Sequence, residues 1–411
     1  MHIVIVGGGV VGLCSAVALA GDGHAVTMID ADTDRQAASW GNAGHIATEQ
    51  TAPLASPAAV RSAWGRRFAA GGALDLPLGQ AGAWLRFAPR FLRASRPARF
   101  AAGQRALKAL LHDALPAWQA LAGELGGPAL VRADGHYVVW ETPRTAAAGR
   151  AAWESADIGT ARLRSATAEE MAGIAALTDT PPADAIRFVG SGQVADLGRL
   201  ATALHDRLAA LGGRVVRAEA QLTVRDGRAR VAGHDADLIL IAAGARSAGL
   251  VSAAGHRAPL IAERGYHIRC AADLWPADLP PIVFEDRSMI VTRYATCVQA
   301  ASFVELGRID APPDPRKWQR LEAHVAALGL PMQAPFTRWM GTRPTLPDYL
   351  PAIGRSTRVG NLLYAFGHQH LGLTLAPVTA RIVAALVRGQ TPPIDITPFA
   401  IERFGPGKAK A

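Results

Sequence analysis

Two stretches near the C-terminus carry side chains that chemistry can use. GTRPTLPDYLP, residues 341–351, sets Arg343 between turn-forming Gly341 and Pro344. GHQHLGLTLAP, residues 367–377, sets His368 and His370 one residue apart, ahead of Gly372, Thr374 and Pro377. A guanidinium presents paired donors that match a carboxylate as a bidentate fork, which lysine cannot reproduce. The plain alternative for Arg343 is a solvated surface arginine in an Arg-rich chain. The histidine pair has several readings: zinc ligands, a catalytic pair, the floor of a cofactor pocket, or satisfied core residues. A zinc site needs a third or fourth ligand, and no neighbouring Cys or Asp/Glu cluster completes one, so no metal is expected. Tyr266 in GYH and Tyr294 in TRYA are candidates to close a pocket with their hydroxyls, or else ordinary sheet residues.

The elements that would position these groups begin at the other end. HIVIVGGGVVGLCSAVALAGDGHAVTMIDAD, residues 2–32, reads as strand, glycine turn, helix and second strand. The apolar, β-branched run in residues 2–6 suits a strand buried on both faces. Gly7, Gly9 and Gly12 form GxGxxG: the first permits a tight turn, the second lets backbone approach a pyrophosphate, and the third lets helix and strand pack closely. The helix from about Val11 to Ala20 would aim its orphan N–H groups at that anion. Asp30, 18 residues beyond Gly12, stands where an acid accepts ribose hydroxyls. The alternative is a glycine turn in an unrelated α/β protein. These features fit FAD and NAD alike. The residues beyond Asp30 separate the two, because a nicotinamide enzyme usually continues through one Rossmann unit. Here ASWGNAGHIATEQTAPLASP and a long insertion intervene, and ADLILIAAGARS returns only at 236–247. The dinucleotide domain is therefore expected to be assembled from separated segments.

Composition narrows the class. A chain of 411 residues with 50% hydrophobic and 19% charged residues can bury a substantial core in two or three domains. The net charge of +9 comes from scattered arginines, with only four lysines and no compact basic block, which argues against nucleic-acid binding. Cys14, Cys270 and Cys297 form no CxxC, so a reducing compartment is the default. Residues 1–6 show neither a basic n-region nor a cleavage site, and no uninterrupted apolar run reaches about 18 residues, so neither a signal peptide nor a spanning helix is expected.

Residues 58–125 read as helical, interrupted at Pro77, Pro89, Pro97 and Pro116. ALVRADGHYVVWET suggests a hairpin at Asp134-Gly135, and a second Asp-Gly turn stands at 226–227. From IAERGYHIRC through VTRYATCVQAASFVEL, alternating segments predict an antiparallel sheet, and residues 313–328 one further helix. The fold class expected is α/β: a Rossmann-like cofactor domain in separated segments, with an α+β domain around a mixed or antiparallel sheet.

GGGVVGLCSAVALAGDGHAV, SWGNAGHI, GQVADLGRL, ILIAAGARS, ERGYHI, GTRPTLPDYLPAIG and GHQHLGLTLAP occur in one order across residues 7–377. In that order they resemble the flavin-dependent D-amino-acid oxidase/dehydrogenase superfamily, and most of all its bacterial D-amino-acid and D-hydroxyproline dehydrogenases. The resemblance implies noncovalent FAD, since GHQHLGLTLAP lacks the cysteine to which some relatives attach flavin. It implies an FAD domain of residues 1–50, 186–250 and 336–401, a substrate domain of 51–185 and 251–335, and a flexible tail from 402 to 411. It places Gly7, Gly9, Val10, Val11, Gly12, Asp30 and Ala31 on the adenosine and pyrophosphate, with Ala220 beside the adenine. Ser39, Asn42, Ala43, Gly44 and His45 would run along flavin and pyrophosphate, with Ala243 and Gly244 on the pyrophosphate side. Gly341, Gly367, His368, Gly372, Leu373 and Thr374 would line the flavin, where helix N–H dipoles stabilise charge developing at N1 and O2. Arg343 would hold the substrate carboxylate, with Tyr266, Tyr294, His368, His370 and His45 as further catalytic candidates. Relatives commonly have Asp-Pro-Gly where this chain has DLGRL, so Leu197 should alter a turn.

The activity this implies is oxidation of a D-amino acid by hydride transfer from Cα to flavin, D-proline or cis-4-hydroxy-D-proline being preferred. Broad D-alanine-type specificity and an oxygen-reducing oxidase are the alternatives. A quinone or another acceptor would reoxidise the flavin, and the location implied is cytoplasmic, peripheral at the inner membrane. AWLRFAPRFLRASRPARF, residues 83–100, interleaves aromatics with arginines, which suits an anionic membrane surface or equally a helix pair packing its aromatics inward.

Overall fold

The structure is a computed structural model that describes residues 1–407. Its first layer is a six-stranded sheet in the order Arg214–Arg217, Ala25–Asp30, His2–Val6, Leu238–Ile241, Leu362–Phe366, Ala352–Arg355. All neighbours run parallel except the last pair. Alternation explains why His2–Val6 is apolar throughout. Ile3 and Ile5 face a core built with the helices Val10–Gly21, Leu197–Ala210 and Gly372–Val387, whereas Val4 and Val6 face the opposite core. Gly12 lets the first helix sit against the first strand, since a Cβ there would strike the Gly7 carbonyl.

The helix Gly372–Val387 contains Pro377, which removes one helical donor. The Leu373 carbonyl that this donor would have served instead accepts the buried Trp118 indole N–H at 2.9 Å. The stretch Gln369–Val387 is long and apolar enough to cross a membrane, yet it lies within the fold, packed against Val10–Gly21.

The second layer is a nine-stranded mixed sheet. It runs Thr337–Thr345, Ile261–Ala271, Cys297–Gly307, Met289–Arg293, Ile282–Phe284, His136–Trp140, Asp184–Val189, Arg162–Ser165, and Leu74–Asp75 joins Cys297–Gly307. The expected antiparallel run is its centre. A bulge sets Gly265 opposite both Phe303 and Val304, and Phe303 takes φ 73, outside the usual range for a side-chain-bearing residue.

Several expectations need correction. Thr337–Thr345 and Asp184–Val189 pair inside the large sheet, so the domain edges drawn at 336 and 186 shift. Asp134-Gly135 does not close a hairpin: Val131–Arg132 pairs with Gly192–Val194, and His136–Trp140 joins the large sheet. Pro89 lies inside the helix Ala81–Ala94, whereas Pro97 opens the next helix at its first position, where no donor is needed. Leu197 begins a helix and is buried behind the Asp196 cap, whose side chain accepts the Arg199 N–H at 2.8 Å. Of the tail, Glu402 accepts from Thr357 Oγ1 at 2.8 Å and Pro406 bridges His256, so 402–407 belong to the fold; 408–411 lie outside the described residues.

Candidate active site

A cavity of about 1840 Å³ opens between the two sheets. One end is lined by Gly7, Gly9, Val10, Val11, Asp30, Ala31 and Ala220, the other by Tyr266, Gly341, Arg343, Gly367, His370 and Gly372. Ser39, Asn42, Ala43, His45, Ala243 and Gly244 line it as well, Ser39 and Ala243 next to Gly9 and Gly7.

At the first end the backbone is shaped for close approach. Gly7 takes φ 111, and a Cβ on it would strike the Ala242 carbonyl. A Cβ on Gly9 would come 3.1 Å from Ser39 Oγ, which itself accepts the Val10 N–H at 3.0 Å. Asp30 ends its strand at the cavity wall, with Oδ2 bonded to Arg217 Nη1 at 2.9 Å. A bare glycine cradle at a helix N-terminus beside a carboxylate fits the pyrophosphate and ribose of a dinucleotide. Gly12 is a packing residue here, away from the cavity wall.

The SWGNAG segment is held from behind. Tyr294 donates to the Asn42 carbonyl at 2.7 Å, Gln299 Nε2 reaches the same oxygen at 3.0 Å, and Asn42 Oδ1 accepts the Gly44 N–H at 2.8 Å. Tyr294 therefore braces the loop and does not close the pocket, a correction to its catalytic candidacy. Gly44 (φ 74) has no room for a side chain, because a Cβ would come 2.8 Å from the Tyr294 hydroxyl. Beside this loop, Trp339 stacks on His267 at 4.8 Å, and His267 Nδ1 meets the Gly41 carbonyl at 3.0 Å. Burial first, then Arg269, lowers His267 to about 3, so it stays neutral.

The helix expected near Thr374 begins at Gly372, and Gly372 and Leu373 reach the cavity. Thr374 does not line it. Its hydroxyl accepts the Ala47 N–H at 3.0 Å and donates to the His45 carbonyl, tying this helix to the strand His45–Ile46.

Arg343 lies at the cavity wall, 27% exposed along its side chain, with Nη1 bonded to Glu263 Oε1 and the Phe303 carbonyl at 3.1 Å each. The bulge that forces Phe303 to positive φ presents this carbonyl. Glu263 is in turn held through Oε2 by Thr345 and Tyr349 hydroxyls at 3.0 Å each. Among the described residues, Nε and Nη2 of Arg343 have no such partner. Gly265 makes room for the guanidinium, which a Cβ would overlap.

The remaining candidates separate. Tyr266 lines the cavity, but its hydroxyl donates to Glu305 Oε2 at 2.9 Å and accepts the Asp314 N–H at 3.1 Å, so it is committed to a buried charge network. His368 Nε2 pairs with Thr379 Oγ1 at 3.0 Å, and burial holds it neutral to about 3; its ring is a satisfied core histidine, which removes it from the catalytic set. His370 Nε2 bonds to Gln50 Oε1 at 2.6 Å. Burial lowers His370 to about 4, with the Glu263–Arg343 and Glu49–His45 pairs both bearing on it.

His45 Nε2 meets Glu49 Oε1 at 3.0 Å, and its ring packs edge-on to His136 at 4.4 Å. Burial raises Glu49, but His45 and His136 outweigh it and leave the carboxyl at about 2. His45, Glu49 and His136 bring ligand-type atoms within 4.8 Å of one another, yet the closest approach is a His–Glu hydrogen bond. Asp75, Glu305 and Asp314 form a second such group, and Lys317 supplies the cation there. Glu49, Gln50, His136, Glu263, His267 and Trp339 were not legible as site residues. GHIATEQ and ERGYHI contain four of them, but their neighbours in sequence do not reveal which way they point.

The chain matches the DAO family, FAD dependent oxidoreductase, over residues 2–386. It is 33% identical over 433 residues to a D-amino-acid oxidase of Bradyrhizobium diazoefficiens, covering 98% of this chain and 99% of that one. It is 29% identical over 439 residues to a D-amino acid dehydrogenase of Cereibacter sphaeroides, covering 99% and 97%. The fold is shared with glycine oxidase from Geobacillus kaustophilus, at TM-score 0.72 and 22% identity over 98% of each chain.

Proposed function

The chain belongs to the FAD dependent oxidoreductase family and binds FAD noncovalently; from that premise we propose that it is a D-amino-acid dehydrogenase favouring D-proline or cis-4-hydroxy-D-proline. The observation that carries the reading is Arg343, pinned through Nη1 while Nε and Nη2 stay open at the cavity wall. Those two nitrogens make a fork for an α-carboxylate.

When bound, FAD would supply the two-electron acceptor for the α-hydrogen; a neutral amine that gives up hydride becomes an iminium, which loses an N–H proton to give the imine. The protein's part is orientation and exclusion of water. Gly7, Gly9 and Asp30 would hold the dinucleotide, the start of the helix Gly372–Val387 would line the flavin, and Arg343 would fix the substrate. A cyclic amine has its nitrogen fixed relative to Cα, so it loses less orientational freedom on reaching the reactive pose. His370 and Gln50 offer the polar partner that a ring hydroxyl needs.

Electrons leave to a quinone or another acceptor, with residues 83–100 as peripheral contact to an anionic membrane. There Phe87 is buried and stacks on Phe91 at 6.2 Å, and Trp84 bonds the Pro77 carbonyl, so the contact falls to leucines and neighbouring exposed side chains in place of the aromatics. Trp64 (73% exposed), Leu78 (87%), Leu85 and Leu92 are four of the exposed large hydrophobic residues, and they stand among arginines. An oxidase that reduces O₂ is the second reading, favoured by the 33% identity to the Bradyrhizobium oxidase.

Anaerobic bleaching of the flavin by D- and L-proline, cis-4-hydroxy-D-proline, D-alanine and D-methionine tests the reading, followed by kcat/KM for each. Bleaching by D forms with the cyclic ones fastest is expected. A clear win for D-alanine or D-methionine removes the cyclic preference, and no bleaching by any D-amino acid removes the reading altogether.

A further inference from the structure

We propose that the cavity holds a side-chain subsite, built on Glu285, through which the enzyme oxidises a second substrate class: D-amino acids whose side chain ends in a cation, D-lysine and D-arginine. The proposal rests on D-amino-acid oxidation with the substrate carboxylate at Arg343. It assigns a use to space that a proline ring leaves empty.

Glu285 follows the strand Ile282–Phe284 and lines the cavity together with Trp153 and Ser288. It is half-buried, and Trp153 Nε1 donates to its Oε2 at 3.1 Å. Oε1 accepts no hydrogen bond among the described residues and keeps open surface. Other buried or half-buried glutamates are matched by a cation: Glu141 by Arg287, Glu170 by Arg187, Glu263 by Arg343 and Glu305 by Arg264. Glu285 has no cation within ion-pair distance among the described residues. Arg287, two residues on, gives both Nε and Nη2 to Glu141. Burial holds the Glu285 carboxyl above the usual carboxylate range despite the Trp153 bond, and Asp286 adds to that. A carboxylate taken partly out of water without a counter-charge is matched by a ligand that brings one.

The path between Arg343 and Glu285 is apolar. Nη2 of Arg343, one of its open nitrogens, lies over Gly265, where a Cβ would overlap it. From Ile261–Ala271 the sheet crosses Cys297–Gly307 and Met289–Arg293 to reach Ile282–Phe284. Ala301, Ile290 and Val283 stand paired in one row across those last three strands, and all line the cavity. Ser302 Oγ donates to the Ser288 carbonyl at 2.7 Å, so the turn that carries Glu285 stands level with the bulge at Gly265.

Three strand spacings separate Gly265 from that turn, about 14 Å. The chain of bonds from the carboxylate carbon of lysine to its terminal nitrogen extends about 7.5 Å. An ion pair at each end adds about 3 Å. Lysine therefore spans the interval, and the guanidinium carbon of arginine reaches as far. The chemistry at Cα is unchanged. The α-hydrogen departs with its electron pair to FAD, the nitrogen lone pair forms the C=N bond, and an N–H proton passes to water. The side-chain cation keeps its protons.

Two measurements on the holoenzyme test this. The first needs no turnover: calorimetric binding of 6-aminohexanoate, which is lysine without its α-amine, and of hexanoate, which lacks the cation as well. Wild type is expected to bind 6-aminohexanoate about tenfold or more tightly than hexanoate. Glu285→Gln, whose amide oxygen still accepts the Trp153 N–H, is expected to abolish the difference. Equal binding of both by wild type, binding of neither, or a preference that survives in Glu285→Gln overturns the subsite. The second is kcat/KM for D-lysine against D-norleucine, which differ only in the terminal ammonium. Wild type should favour D-lysine by about tenfold or more, and Glu285→Gln should lose that ratio. D-norleucine matching or beating D-lysine in wild type overturns the second substrate class. Because the first comparison is of binding, its result stands apart from failure of every D-amino acid to bleach the flavin, which would remove the underlying reading.

Discussion

Glu263 and Arg343 face one another across paired strands, joined from Oε1 to Nη1 at 3.1 Å, while Thr345 and Tyr349 occupy the carboxylate's other oxygen. The carboxylate is spent on holding the guanidinium in one pose, which leaves the far edge of the fork for a ligand. Arg343→Ala is expected to retain FAD and lose about 2–5 kcal/mol of transition-state stabilisation, read as kcat/KM toward D-amino acids. Turnover near wild type would assign the carboxylate to another cation.

Replacing Gly9 should release the cofactor. Its Cβ position is 3.1 Å from Ser39 Oγ at the mouth of the glycine cradle, so a leucine would fill the pyrophosphate approach. Gly9→Leu is expected to purify folded but without flavin, judged by circular dichroism beside the absorbance spectrum. Stoichiometric flavin in a folded variant would contradict this placement.

Trp118 should matter for stability more than its distance from the chemistry suggests. Its indole N–H serves the Leu373 carbonyl, which Pro377 leaves without a helical donor. Trp118→Phe keeps the ring packing and strands that oxygen, at a cost of about 1–3 kcal/mol in a denaturant titration. An unchanged midpoint would mean that another donor reaches the carbonyl.

Acid should weaken the fold through its buried histidines. Burial holds His136, His267 and His368 neutral to about 3, against 6.5 for the free side chain. The unfolded chain binds the extra protons, so their contribution is complete above pH 6.5 and declines as pH falls toward 3. Each adds a slope of about 1.4 kcal/mol per pH unit within that window. His368→Gln should flatten the dependence by one such share, measured by unfolding between pH 7 and 4.

The exposed leucines of the helix Ala81–Ala94 offer a separate test. Leu85→Asp with Leu92→Asp should abolish retention on anionic vesicles in low salt and leave kcat/KM with a soluble dye unchanged. Retention by the double variant would move the contact elsewhere. In the same preparations, reduced wild-type enzyme mixed with air-saturated buffer should reoxidise slowly; rapid reoxidation favours the oxidase reading.

What could be read from the chain alone was what neighbours in sequence encode. The GxGxxG turn, the acid after the second strand, the split dinucleotide layer and the antiparallel run beyond residue 260 arise from backbone freedom and hydrophobic period, which are local properties. Arg343 was singled out by turn residues beside it, and the structure puts it on the cavity wall. Which hydroxyls and rings were free was not local. Tyr294, Tyr266 and His368 looked equivalent to His370 as side chains. Their partners, Asn42, Glu305 and Thr379, come from other elements and take up their polar atoms. His45 and His136 likewise lie 91 residues apart, and only the packing of the strands that carry them sets one ring against the other. Periodicity tells which way a strand's side chains alternate; sheet register and packing decide what each one meets, and that is why tertiary structure alone separated working groups from braces.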